Sequence, residues 1–126
     1  MSDQEKDTKK RTYDLEERTA IFGERILEFA KTIKQNPINN PLINQIVRSG
    51  TSVGANYMEA DCAESKRDFR HKISICKKES KETKHWLRMI SKANPDKEEN
   101  CSELLQEAYE LTLIFSAIIR ANKVIK

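Results

Sequence analysis

Residues 65–95 read SKRDFRHKISICKKESKETKHWLRMISKANP, and the fold class follows from this stretch. Ser65 with Asp68 three residues on is the pattern by which a hydroxyl caps a helix N-terminus, with an acid placed where the helix dipole favours it. Phe69, Ile73, Cys76, Ser80, Thr83, Leu87 and Ile90 then recur every three or four residues, which lays an apolar or small stripe along one side of a rod. Asn94-Pro95 stops it, since proline cannot donate a backbone N–H and pushes the residue before it out of helical geometry. A long helix with neither glycine nor proline inside it needs partners of similar length to cover its stripe.

Three such partners flank it. Upstream, Asn40 is placed to cap a second helix with Pro41 at its first position, where a missing N–H costs nothing. Its apolar side is Leu42, Ile43, Ile46, Gly50, Val53 and Tyr57. Gly50 and Gly54 each weaken that helix by roughly 1 kcal/mol relative to alanine, which predicts close approach of a neighbouring helix as compensation. Further upstream, Asp14 and Glu17 have the spacing of a capping box. Ile21, Phe22, Ile26, Phe29, Ala30 and Ile33 follow at helical spacing up to about Asn36, and Pro37 and Pro41 bracket the turn. Downstream, a fourth helix from about Glu98 carries Leu104, Leu105, Ala108, Leu111, Phe115, Ile118 and Ile119. Four amphipathic helices with short connections predict an all-α, antiparallel up-down-up-down four-helix bundle over residues 13–126. The polar residues 1–12 are expected to form a flexible tail.

The remaining composition agrees. The chain has 126 residues, 34% charged and 37% apolar, with three glycines and three prolines, the profile of one helical domain. Cys62, Cys76 and Cys101 form no CxxC pair and are odd in number, which fits reduced thiols better than a disulfide frame. No apolar run reaches the roughly 18–20 residues of a membrane span, and the first residues lack the apolar core of a signal peptide. A cytoplasmic protein without a membrane partner is the expectation.

The net charge of +3 conceals an asymmetry. Residues 64–92 hold ten Lys/Arg against four Asp/Glu, leaving thirteen against sixteen elsewhere. On a helical projection Lys66, Arg70, Lys77, Lys81, Lys84, Arg88 and Lys92 fall within a sector of roughly 80° and form a basic ridge along the third helix. Cations spaced along a rigid rod suit a phosphate backbone, RNA or DNA, because each can displace a counterion. The plainer reading is a solvated helix face, with Glu79 and Glu82 softening its field. No aromatic side chains are expected to interleave the ridge, so backbone or shape recognition is expected ahead of base stacking on single strands.

Ile75, Trp86 and Met89 project away from both stripe and ridge. Trp86 either tucks into the side of the bundle or anchors an interface, to another protein or to further copies in a homo-oligomer. On the second helix Gln45, Arg48, Ser49, Ser52, Asn56 and Glu59 share a narrow polar sector beside the apolar face. Polar groups so close to a core need hydrogen-bond partners, so these residues are expected to hold helix register or a subunit contact.

Chemistry of other kinds finds little footing. A di-iron bundle needs two Glu-x-x-His pairs, and only Glu82 with His85 has that spacing, with His71 far along the same helix. There is no glycine-rich phosphate loop and no nucleophile elbow. Arg67 and His71 are too close for a helical ribonuclease pair of the kind with four to six residues between. No catalytic residue, metal or cofactor is expected, and the function is that of a binding protein. The competing expectation is a protein-interaction scaffold or accessory subunit that binds no nucleic acid itself.

The run VRSGTSVGANYMEADCAESKRDFRHKISICKKESKETKHWLRMI, residues 47–90, resembles a bacterial four-helix-bundle family encoded in 23S rRNA intervening sequences. The matching positions are Arg48, Ser49, Ser52, Asn56, Glu59, Ser65, Asp68 and Phe69, then Lys78-Glu79-Ser80, Glu82-Thr83 and Trp86-Leu87. Ala60 departs from the pattern, standing where the family usually has glycine. The resemblance implies an up-down bundle and assembly into ring-shaped homopentamers. It implies no established activity. A similar bundle serves as accessory protein of a reverse transcriptase in diversity-generating retroelements, which favours nucleic acid as the partner of the ridge.

Overall fold

In a computed structural model the backbone is described over residues 3–123 and the side chains over 15–123. Four helices follow one another: α1 (Asp3–Lys31), α2 (Asn39–Asp61), α3 (Lys66–Ala93) and α4 (Glu98–Ala121), with a single 3-10 turn, Pro95–Lys97, leading into the last. There is no strand among the described residues. Helices adjacent in sequence pack on one another and α4 closes more loosely on α1, while the diagonal pairs make no backbone contact. The all-α four-helix bundle expected from the periodicities is the fold.

Side-chain pairs along α2 and α3 show that they run antiparallel. Asn39 and Asn94 exchange amide hydrogen bonds of 2.9 and 3.0 Å at one end. Thr83 donates to Ser49 Oγ at 2.9 Å in the middle, and Lys72 reaches Glu59 at 3.6 Å toward the other end. Phe22, Ile26, Ile46, Val53, Ile73, Leu87, Ile90, Leu111 and Phe115 meet between the four helices with essentially no exposure. Dropping those side chains out of water is the main drive for assembly.

The glycines of α2 mark where α1 crosses. A β-carbon on Gly50 would stand 2.8 Å from Ile26 Cγ1, and one on Gly54 would stand 3.3 Å from the Thr19 carbonyl oxygen. The predicted compensation is therefore real: the helices approach closely enough that only hydrogen fits at Gly50. On the opposite flank of α1, Arg18 forks onto Glu107 of α4 at 2.8 and 2.7 Å and onto Glu110 at 3.1 Å. This half-buried cluster clasps the seam that has the sparsest contact. Hydrogen bonds from Gln106 and Arg18 hold the Glu110 carboxyl below its ordinary pKa.

Boundaries differ from expectation in two places. The backbone of α1 is helical from Asp3, ahead of Asp14; the preceding residues are mostly good helix formers with no glycine or proline to interrupt them. Asp14 therefore lies inside α1 and is not its N-cap; its side chain and those of the expected 1–12 tail lie outside the described residues. The α2 cap is displaced by one Asn-Pro pair. Asn36 accepts from the amides of Ile38 and Asn39 at 3.0 and 2.7 Å, and its own carbonyl accepts from Asn40 at 2.9 Å, so the turn begins at Asn36-Pro37. Asn40 instead folds back to accept from the Asn36 amide. Two Asn/Pro pairs four residues apart obey the same capping rule, and the tie is broken by the burial of Asn39 against Asn94. The Ser65 cap on the Asp68 amide, 3.0 Å, and the stop at Asn94-Pro95 are as expected.

One apolar residue is misplaced by periodicity alone. Ile21, expected with the α1 stripe, is 43% exposed. It precedes Phe22 and so lies about 100° around the helix from it, on the side of α1 that faces the loose α4 seam.

Candidate nucleic-acid interface

The polar sector of α2 faces α3. Arg48 binds Glu79 at 3.0 Å, also pairs with Glu82, and takes a third acceptor from Gln45 at 3.1 Å. Glu79 is 5% exposed, so its carboxylate depends on these cations, with Lys78 at 3.7 Å on its other oxygen. Ser49 is fully buried beside Thr83. Ser52 donates to the Arg48 carbonyl and Asn56 to the Ser52 carbonyl, so both are turned back onto their own helix. Glu59 ends the row at Lys72. Among the described residues no buried side-chain polar atom lacks a partner. The geometry is that of a register lock between two helices, with Arg48 as its hub.

That lock changes the electrostatics of α3. Glu79 and Glu82, read from sequence as softening the basic ridge, turn instead toward Arg48 on the α2 side. The ridge lies on the α4 side. Lys66, Lys81, Arg88 and Lys92 are exposed and Arg70, Lys77 and Lys84 half-buried. Among the described residues none of these seven enters an ion pair, whereas Lys72 and Lys78 of the same helix do.

Tertiary packing adds what the linear reading of α3 lacks. Tyr109 of α4 rises beside the ridge, 47% exposed, with Lys84 Nζ 5.0 Å from its ring centroid. Leu113, one turn further along α4, is 51% exposed. So an aromatic does stand among the cations, contributed by another helix. Leu105, Tyr109 and Leu113 are spaced by four, the trace in the sequence that could have revealed a second stripe on the flank of α4.

The third face of α3 is less available than its composition suggested. Trp86 is half-buried against the core, donates its indole N–H to Glu82 at 3.3 Å, and meets His85 edge-on at 4.9 Å between centroids. Ile75 and Met89 are half-buried too. The large apolar side chains that do stand out, Ile21, Leu27, Ile38, Met58, Tyr109 and Leu113, lie on the other helices and the turn before α2.

The α1–α2 edge, opposite the ridge, has the reverse character. A groove of about 710 Å³ there is lined by Ala20, Gly23, Leu27 and Gly54 together with Glu16, Glu17 and Glu24. Its carboxylates would repel phosphate, so the two sides of the bundle are electrostatically distinct. No group of three or more His, Cys, Asp or Glu side chains converges among the described residues, and no described helix is long and apolar enough to cross a membrane.

Comparison with known proteins places this arrangement. No curated protein matches the chain. A solved protein with unknown function from the S23 ribosomal protein family of Bacteroides thetaiotaomicron VPI-5482 superposes with a TM-score of 0.74 at 30% identity, covering 83% of this chain and 97% of that one. The model of the 23S rRNA-intervening sequence protein family matches residues 11–117, the greater part of all four helices. On both grounds the chain belongs to the 23S rRNA-intervening sequence protein family.

Proposed function

We propose that the protein is a non-enzymatic, cytoplasmic binding protein whose α3 ridge contacts the phosphate backbone of RNA or DNA, free or within a nucleoprotein complex. The observation that carries this reading is the ion-pair pattern of α3. Lys72 is paired across to Glu59 of α2 and Lys78 with Glu79 of its own helix, while the seven cations of the ridge have no carboxylate partner among the described residues. Packing does not require such a row, and a polyanion can use it.

The expected contacts are Lys66, Arg70, Lys77, Lys81, Lys84, Arg88 and Lys92. A homo-oligomer, which the family resemblance suggests is a pentamer, would bring several ridges to one strand and raise affinity through effective concentration. No metal or cofactor has a role in this scheme.

Fluorescence anisotropy with labelled RNA and DNA at about 50 and about 200 mM salt tests it. If four phosphates are neutralised per site, affinity falls about 100-fold over that range, and more steeply as further cations engage. The triple variant Lys81→Glu/Lys84→Glu/Arg88→Glu is expected to abolish binding. Absence of binding by the parent protein at the lower salt would overturn the reading and favour a protein-binding scaffold.

A further inference from the structure

We infer that Tyr109, with Lys84 and the neighbouring ridge cations, forms a stacking site for an unpaired nucleobase, so that the ligand of the ridge is single-stranded nucleic acid. This rests on the phosphate-binding reading above and adds the strandedness of the ligand to it.

Three observations lead there. Phe22, Phe29, Tyr57 and Phe115 are buried and Trp86 and Phe69 half-buried, which leaves Tyr109 as the exposed member of the Phe, Tyr and Trp set among the described side chains. Core packing accounts for the others and not for this one. Tyr109 also stands beside cations: Lys84 lies over its ring, and Lys81 and Arg88 are the neighbours of Lys84 along the same ridge. Finally Leu113 extends the apolar surface one turn along α4, where charge alone would predict lysine or a polar residue.

The chemistry of these groups distinguishes single strands from duplexes. In a duplex the base faces are stacked on each other, and an A-form major groove is too deep and narrow for side chains to enter. An exposed ring beside a phosphate-binding row is of use only when a base can leave its stack. Stacking on an aromatic accepts any base, while the cations hold the backbone on either side. Lys84 suits both states: it caps the ring by a cation–π contact in the free protein and can swing its ammonium to a phosphate when a base arrives.

The test compares the parent with Tyr109→Ala, Tyr109→Phe and the ridge triple variant, on unstructured single strands, the same strands lacking bases, and the corresponding duplex. Strands are made both as RNA and as DNA. The parent is expected to prefer the single strand. Tyr109→Ala is expected to weaken that binding about tenfold in both sugars, with no change on the duplex or the abasic strand, and Tyr109→Phe is expected to bind like the parent. Unchanged single-strand binding by Tyr109→Ala, with binding still lost in the ridge variant, would overturn the stacking site and leave the phosphate reading standing. Failure of the parent to bind any of the ligands would overturn both.

Discussion

Replacing Gly50 by alanine puts a methyl carbon 2.8 Å from Ile26 Cγ1, 2.9 Å from Cγ2 and 3.1 Å from Cβ. These atoms are the branch point of a fully buried side chain, so no flexible end can swing aside. Either the isoleucine leaves its rotamer or α1 and α2 move apart, and overpacking of this kind costs about 1–3 kcal/mol, here toward the upper end. Against it stands the helix-propensity gain of about 1 kcal/mol for Gly→Ala. The expected net loss is about 1–2 kcal/mol, or about 5 °C in thermal midpoint for a chain of this size. Gly23 lies at the same crossing and gives the internal control. A β-carbon there would meet Thr51 Cα at 3.6 Å and the Gly50 carbonyl oxygen at 3.7 Å, ordinary contact distances. Gly23→Ala should therefore stabilise by up to about 1 kcal/mol. Urea unfolding followed by far-UV circular dichroism measures both variants. A Gly50→Ala protein as stable as the parent, or a destabilised Gly23→Ala protein, would refute the helix approach inferred at this crossing.

Arg48→Met should cost about 2 kcal/mol by stranding the Glu79 carboxylate in the α2–α3 seam, and adding Glu79→Met should recover much of that loss; a double-mutant cycle by denaturation reads the coupling, and strict additivity would contradict a shared network. Arg18→Ala removes the fork onto Glu107 and Glu110, and hydrogen exchange should quicken first along the α1–α4 seam, with a global loss of about 1 kcal/mol; uniform protection loss across the bundle would contradict that placement. Burial pushes the Cys76 thiol up to about 12 and the Cys101 thiol to about 11, from 9.0. Only exposed Cys62 should then react with a thiol reagent at neutral pH in the folded protein, and all three on unfolding. The linked effect on stability has a definite sign: above pH about 9 the unfolded chain releases thiol protons that the folded one retains, so the contribution is intact at neutral pH and declines between about 9 and 12.

Residues 65–95 carried the helical class because their signals are local. A hydroxyl three residues from an amide, a stripe at a period of 3.6 and a proline stop depend on nothing beyond a few turns of chain. For the same reason the core members Ile26, Ile46, Val53, Ile73, Leu87 and Phe115 were legible as members of their stripes. The α2 cap was legible in kind and misplaced by one Asn-Pro pair, because the local signal occurs twice and the choice is made by contact with Asn94 on another helix. Ile21 failed for a related reason: a hydrophobic residue at the margin of a stripe is buried or exposed according to how closely the next helix comes, and α4 is the loosest neighbour of α1.

The candidate site divides along the same line. That α3 bears a row of cations within one sector follows from its residue spacing, since position on a rigid helix fixes direction. Which of its acids share that side, and which aromatic stands beside it, were settled only by packing. Glu79 and Glu82 are drawn to Arg48 across the α2–α3 seam and away from the ridge, Glu98 of α4 lines a groove with Arg88 and Lys92 at its end, and Tyr109 arrives from a helix folded back antiparallel to α3. Helical periodicity determines the faces of each rod. Which face meets which is a property of four rods at once, decided by the close approach at Gly50 and the pairing of buried charge, and neither is a local property of any one helix.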